Sequence, residues 1–283
     1  MKNFFVIANK SKKEAIDLQD RLSEYIIDKG GVCAIDESPD GHTDVNGIPS
    51  NTEGILVLGG DGTMLRVSHE LGGLDLPLLG INTGNIGYLT AVDKNEAFGA
   101  IDRMFSDDYV TEPRMMVSSI IIKQDGAAVN NLENKALNEI VIKGNKPMQL
   151  LVVSVYINDQ FLKTYEADGI IISTPTGSTG YNLSAGGPVL NPSADMMILT
   201  PICPHSMNSR SLVFSSKDTI RIIIEKGRSE GIQGAEVYYD ATDMEALVTG
   251  DEIVVKKAEQ VSKIVKLTQE SFLETLQKKL RDN

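Results

Sequence analysis

Apolar residues in the first hundred positions fall into two patterns, short solid runs and helical stripes. Phe4-Phe5-Val6-Ile7-Ala8, Ile55-Leu56-Val57-Leu58 and Leu78-Leu79-Gly80-Ile81 are solid runs, and such runs predict strands buried on both faces, as in a parallel sheet. Ala15, Leu18, Leu22 and Ile26 recur at helical spacing behind Ser11-Lys12-Lys13-Glu14, which reads as a capping box, and Gly30-Gly31 closes that helix. Val32 to Ile35 is the next strand, and the acidic, turn-forming residues from Asp36 to Glu53 predict a long loop. A helix is expected from Met64 to Leu71. Another carries Ala97, Ile101, Met104 and Phe105 on one face and is capped by Asp93 with Glu96. Strands and helices in alternation predict a doubly wound parallel α/β domain over residues 1–105.

Beyond residue 105 the helical period all but vanishes. Met115 to Lys123, Lys135 to Lys143, Gln149 to Ile157, Gly169 to Ser173, Thr219 to Glu225, Ala235 to Tyr239, Glu252 to Lys256 and Ser262 to Leu267 are runs rich in Ile and Val. Turns such as Gln124-Asp125-Gly126 and Asn158-Asp159 separate them. An all-β domain is therefore expected over residues 106–267. Helical spacing returns from Gln269 to Arg281, with Phe272, Leu273, Leu276 and Leu280 on one side. The segment 268–283 is thus expected to be an amphipathic helix that covers a surface of the first domain.

Composition narrows the function classes. The chain has 283 residues, 41% of them hydrophobic, enough for two cores. No apolar stretch reaches the ~18 residues that a membrane span needs, and the first residues read as a strand rather than a signal peptide. A net charge of -12 argues against a general nucleic-acid binder. Cys33 and Cys203 lie far apart and form no metal or disulfide pattern, which suits a reduced, cytoplasmic setting.

Two polar stretches carry the candidate chemistry. Gly59-Gly60-Asp61-Gly62-Thr63 follows a strand and opens a helix, which leaves backbone amides free at a positive helix end, a place to hold phosphate. The stretch lacks the lysine of a P-loop and the spacing of a dinucleotide fingerprint. A carboxylate would repel phosphate, so Asp61 is assigned to a hydroxyl, as base or orienter. Arg66 stands one turn further on, either reaching phosphate or pairing with an acid, and the lysines between Asn9 and Lys13 either meet donor phosphates or begin a solvated helix. The second stretch runs from Asp168 to Pro188 and is built of hydroxyls and glycines after an apolar strand, with Tyr181 as a flat face for a base. His205 is a turn residue or a ligand at a site edge.

Taken together, Gly59 to Thr63 with Met64-Leu65-Arg66, the block Gly80 to Thr90, Asn138-Glu139, and Asp168 to Pro188 closely resemble the NAD kinase family. The first motif is shared with diacylglycerol and sphingosine-type lipid kinases, whereas Asn138-Glu139 with Thr174 to Thr179 is much more specific to NAD kinases. The resemblance implies an α/β domain, a β-sandwich domain and NAD in the cleft between them. It also implies transfer of the γ-phosphoryl group of ATP to the 2'-hydroxyl of the adenosine ribose of NAD, with Asp61 as general base. Asp61, Gly62, Asn138, Glu139, Asp168, Thr179, Gly180, Tyr181 and Ser184 are implied to bind NAD. Gly59, Gly60, Gly62, Thr63 and Arg66 are implied to hold ATP, accompanied by Mg²⁺ or another divalent cation. A homodimer or homotetramer assembled through the β domain is implied as well. The chain departs from the family at Asp240-Ala241, where Asp-Gly is usual, and at Arg210-Ser211, where proline often follows the arginine. The rival readings are a lipid kinase and a non-catalytic dinucleotide sensor.

Overall fold

Phe4 to Ala8, Gly54 to Leu58 and Leu78 to Asn82 are buried without interruption, because helices cover both faces of the strands they form. The computed structural model describes residues 1–38, 41–72, 74–84, 87–90, 92–126, 128–129, 134–146, 149–227, 231–267 and 272–281. Within it the chain divides into two units, Met1–Arg114 with Ser262–Asn283, and Met115–Val261. These change over at 114/115 and 261/262, where the sequence reading draws its limits at 105/106 and 267/268.

In the first unit the strands Leu78–Asn82, Gly54–Gly59, Asn3–Ala8 and Val32–Ile35 lie side by side in that order, all parallel. Ile264, on the final strand, pairs in parallel with Leu78. Alternate strand residues serve the two faces. Phe4, Val6, Leu56, Leu58, Leu79 and Ile81 pack with Ala15, Leu18, Leu22 and Ile26 of the helix Lys13–Asp28 and with Ala97, Ile101 and Met104 of the helix Ala97–Phe105. The helix Asp61–Glu70 takes the opposite face, where a Cβ at Gly80 would sit 2.9 Å from the Met64 sulfur. The turns after the first three strands in chain order therefore gather at the carboxyl ends of the strands, where open α/β sheets hold ligands.

Two local expectations are corrected here. Among the described residues no side chain caps the helix Lys13–Asp28. Ser11 donates instead to Asn9 Oδ1 from its hydroxyl, at 2.7 Å, and from its amide, at 3.1 Å, so a local Asx turn wins over the capping box. The helix expected from Met64 begins at Asp61, which puts the acid in its first turn, where the helix dipole favours negative charge.

The second unit is a sandwich of antiparallel sheets. Gln160–Ala167, Leu151–Ile157, Ile220–Ile224 and the first part of Glu252–Lys266 form one layer. The other orders as Leu212–Ser215, Met196–Ile202, Gly169–Ser173, Glu139–Gly144, Gly234–Tyr239 and Asp243–Val248. Ile140, Ile142, Ile170 and Ile172 meet Val153, Val155, Ile220 and Ile222 in one shared core. On the outer face of the six-stranded layer, Val141, Ile171 and Ile202 are buried with Ala185 packed on them, which anchors the hydroxyl-rich loop to the sheet. Asn158 and Asp159 take φ of 49° and 63° and make a two-residue hairpin turn, as that dipeptide predicts. The run Lys135 to Lys143 is divided into Lys135–Ala136 and Glu139–Gly144, while the two expected strands at 252–256 and 262–267 are one strand, Glu252–Lys266. Of the expected C-terminal helix, Phe272–Arg281 is described and falls in the first unit, while residues 268–271 lie outside the described residues.

Candidate functional site

The glycine loop is built where the strand Gly54–Gly59 hands over to the helix Asp61–Glu70. Its three glycines have different reasons to be glycine. A Cβ at Gly59 would collide with the side chain of Thr63, whereas at Gly60 or Gly62 it would meet no atom of the described residues within 4 Å. Packing thus requires only Gly59, and the bare backbone at Gly60 and Gly62 faces open space. That space is a cavity of about 650 Å³ in the first unit. Gly60, Gly62, Thr63 and Arg66 line one side of it, and Asn9, Lys10, Ser11 and Lys12 line the other, with Gly41.

The walls are held in place by their own bonds. Asn9 donates its amide N–H to Leu58 O at 2.8 Å and its side-chain amide to Thr63 Oγ1 at 3.3 Å. Lys10 Nζ donates to Ser38 O. Arg66 donates to Glu70 Oε2 at 2.6 Å and to Thr43 Oγ1 at 3.3 Å, and Glu70 also accepts from the Thr43 amide at 3.0 Å. The guanidinium therefore both lines the cavity and pairs with an acid, the two roles that the sequence left as alternatives. Three lysine or arginine side chains and several free amides make the cavity suited to a polyanion despite the acidic chain.

Asp61 is tied to a second loop. Its Oδ1 accepts from the amides of Leu89 at 3.0 Å and Thr90 at 3.2 Å and from the Thr90 hydroxyl at 3.3 Å, while Oδ2, among the described residues, accepts only from the Tyr88 amide, at 2.7 Å. A Cβ on Gly87 would collide with this carboxylate, so Gly87 is glycine to let the loop close on it. Burial, and then the Asp61 charge, pushes the Tyr88 phenol up. A carboxylate offers about four acceptor positions. Oδ2 is therefore the oxygen with capacity left for a hydroxyl.

In the second unit, the stretch Ser173 to Ser184 separates into buried supports and more exposed groups, with the Thr179 hydroxyl donating to Thr176 O at 3.4 Å. Thr174 donates its hydroxyl to Leu137 O at 2.6 Å and its amide to Asn138 O at 2.8 Å. Ser178 donates to Pro175 O at 2.6 Å, and Asn182 is fully buried between Ser178 O, Pro188 O and the Thr200 hydroxyl. A Cβ at Gly177 would collide with the Asn138 backbone. These residues lock the loop onto Asn138-Glu139, while Thr179 and Gly180 are half-buried, and Tyr181 and Ser184 are exposed. Asn138, Glu139 and Gly180 come together. A Cβ on Gly180 would stand 3.4 Å from Asn138 Nδ2 and from Glu139 Oε2. Asp168 does not join them, because it precedes the strand Gly169–Ser173 whose far end carries Glu139's partner Ser173, roughly 17 Å away along five residues. His205 donates its amide to Glu166 O, in a turn.

The residues that sequence reasoning missed are positioning ones. Asn9 and Glu70 had no motif to mark them, and only the crossing of distant segments reveals their bonds to the loop. Among the described residues no group of three His, Cys, Asp or Glu is placed to hold a metal ion, and no helix is long and apolar enough to cross a membrane.

The comparisons with known proteins agree with one another. The family model of the ATP-NAD kinase N-terminal domain matches residues 42–109, and that of the ATP-NAD kinase C-terminal domain matches 137–267. An NAD kinase of Agathobacter rectalis is 42% identical over 99% of both chains, and one of Lachnoclostridium phytofermentans is 39% identical over the whole of both. The crystal structure of an NAD kinase from Archaeoglobus fulgidus in complex with ATP superposes with a TM-score of 0.80 at 27% identity, covering all of both chains. Yeast NADH kinase shares the fold, with a TM-score of 0.82 at 23% identity over 99% of this chain and 88% of its own. Both halves of the chain and its full-length relatives thus point one way, and the chain belongs to the NAD kinase family of phosphotransferases.

Proposed function

We propose that this protein transfers the γ-phosphoryl group of ATP to the 2'-hydroxyl of the adenosine ribose of NAD, giving NADP. The observation that carries the reading is the pairing of Gly60 and Gly62, bare toward a cationic cavity at a helix start, with an adjacent carboxylate that keeps one acceptor position open. Phosphoryl transfer needs positioning and charge neutralisation more than covalent help. The amides of Gly60 and Gly62 and the Arg66 guanidinium hold the donor phosphates. Asp61 Oδ2 takes the proton of the attacking hydroxyl, and the Tyr88 amide keeps that oxygen aimed.

Asn138, Glu139, Thr179, Gly180, Tyr181 and Ser184 receive the dinucleotide, with Tyr181 exposed as a stacking face and Ser184 as a free hydroxyl. Mg²⁺ enters with ATP. The described residues supply no dedicated cage, and this ion prefers phosphate oxygens and water with few protein ligands. Its charge supplies neutralisation of the transferring group. Asp168 stands apart from Glu139 on its strand, and a second subunit in a homodimer or homotetramer would bring another Asp168 to the dinucleotide. Sedimentation of active enzyme as a monomer overturns that assembly. Cys33 and Cys203 are free thiols, and the setting proposed for them is the reducing cytoplasm.

The test is NADP formation from NAD and ATP with Mg²⁺, by the parent and by Asp61→Asn. The variant should still bind NAD and lose kcat by about 10²–10⁴, the contribution of a positioned base. No NADP from the parent refutes the reaction, and undiminished turnover by the variant refutes the role of Asp61.

A further inference from the structure

The strand that begins at Lys135 breaks at Leu137 and Asn138, and the cause lies on a different hairpin. Asp240 follows the strand Gly234–Tyr239 and sits in the left-handed region, with φ of 48°. Its carboxylate is buried, and accepts from the amides of Leu137 at 2.7 Å, Asn138 at 2.8 Å and Glu139 at 3.1 Å. Its own amide donates to the Glu139 carbonyl at 3.1 Å. Three consecutive amides converging on one anion replace the sheet ladder at this point.

The side chains on that backbone belong to the proposed dinucleotide subsite. Glu139 is 8% exposed, and its Oε2 has no hydrogen-bond partner among the described residues. The same atom and Asn138 Nδ2 both face Gly180, where a Cβ would stand 3.4 Å from each and 3.2 Å from the Gly177 carbonyl oxygen, so only glycine keeps their approach to the loop clear. Ser173 flanks Glu139 from one neighbouring strand, and Tyr239 and Asp240 from the other, with the hydroxyl and glycine loop from Thr174 to Gly180 beyond. Asp240 is the charged group that acts on Glu139. Burial first, and then that charge, pushes the Glu139 carboxyl up to about 8. The three amides favour the anion on Asp240, so of the two carboxyls Glu139 is the one that holds a proton.

We propose that Asp240 is a positioning residue of the dinucleotide subsite. It shapes the backbone that presents Asn138 and Glu139, and it keeps Glu139 a neutral acid that donates a hydrogen bond to bound NAD. The inference rests on the dinucleotide reading above. A neutral donor suits a site that must accept an anionic pyrophosphate near a buried carboxylate. NAD affinity is then linked to a proton. It is level at lower pH and falls about tenfold per unit above about 8, because the ionised form must take up a proton to bind.

The experiment is calorimetric titration of the full-length protein with NAD from about pH 6.5 to about 9.5, repeated with Asp240→Asn and Glu139→Gln. The parent should show the fall. Glu139→Gln, whose amide still donates, should bind with an affinity that does not change with pH. Asp240→Asn should bind NAD at least about tenfold more weakly and begin its fall at lower pH, since the neighbouring charge is gone. A merely structural Asp240 would weaken binding without moving the onset, and that result overturns the proposal. So does a parent whose affinity is level across the range, and this comparison with Glu139→Gln stands even where Asp240→Asn does not fold. A parent that binds no NAD at any pH overturns the dinucleotide reading itself.

Discussion

Replacing Gly62 and Gly59 by alanine should have opposite effects on stability, although the two stand three residues apart. A Cβ on Gly62 meets no atom within 4 Å, and the residue lies in the first turn of the helix Asp61–Glu70. Gly62→Ala should therefore stabilise the ligand-free protein by about 0.5–1 kcal/mol, the usual advantage of alanine over glycine in a helix. The same methyl group enters the cavity proposed for the donor phosphates. Hydrogen bonds from amides to an anion contribute about 1.5–3 kcal/mol each, so a phosphate displaced from two of them loses about 3–6 kcal/mol. That is a fall of about 10²–10⁴ in kcat/KM for ATP. Gly59→Ala, in contrast, drives a methyl into Thr63 and strains its bond with Asn9. It should destabilise by about 1–3 kcal/mol, the cost of overpacking. Urea unfolding without ligand and steady-state kinetics with varied ATP measure both quantities. Gly62→Ala with parental kcat/KM for ATP, or with stability lost as in Gly59→Ala, refutes the reasoning that the bare backbone serves a ligand.

Two further outcomes follow from single contacts. Ala241 holds φ of 59° in the turn after Asp240, so Ala241→Gly should raise the unfolding free energy by about 1 kcal/mol in urea titrations, the cost of a side chain in the left-handed region. Glu70 holds Arg66 at 2.6 Å beside the cavity, and Glu70→Gln, which loses the charge that orients the guanidinium, should raise KM for ATP about tenfold with KM for NAD unchanged, in initial-rate measurements.

Legibility from sequence followed the range of the forces involved. The solid apolar runs at Phe4, Ile55 and Leu78 marked the parallel strands because two-sided burial leaves no room for polar alternation. The strands Gln160–Ala167, Met196–Ile202, Leu212–Ser215 and Asp243–Val248 lie outside the Ile- and Val-rich runs of the sequence. Gln160–Ala167 shows why, since it lies at one edge of its sheet with polar Lys163, Thr164 and Glu166 along it, and cross-strand pairing rather than composition makes it a strand. The capping box at Ser11 matched a pattern and lost to a shorter-range bond with Asn9. In the site, Asp61 and Gly60 were visible as residue types in a loop, but nothing local distinguished Gly59, required by packing, from Gly60 and Gly62, which face space.

The sequence by itself determined the order of an α/β unit before a β unit, the glycine loop at a helix start, and the hydroxyl-rich stretch after an apolar strand. These depend on periodicity and on residues adjacent in the chain, which act over a few ångströms of local backbone. The tertiary structure alone decided what those groups touch. It returned Ile264 to the edge of the first sheet, beside Leu78. It laid the amides of residues 88–90 on Asp61 and so left Oδ2 as the available oxygen. It also set the carboxylate of Asp240 beneath residues 137–139, about a hundred positions away in the chain. Such contacts are fixed by the burial of both partners against shared strands, and hydrogen bonds between segments so far apart leave no period or motif in either one.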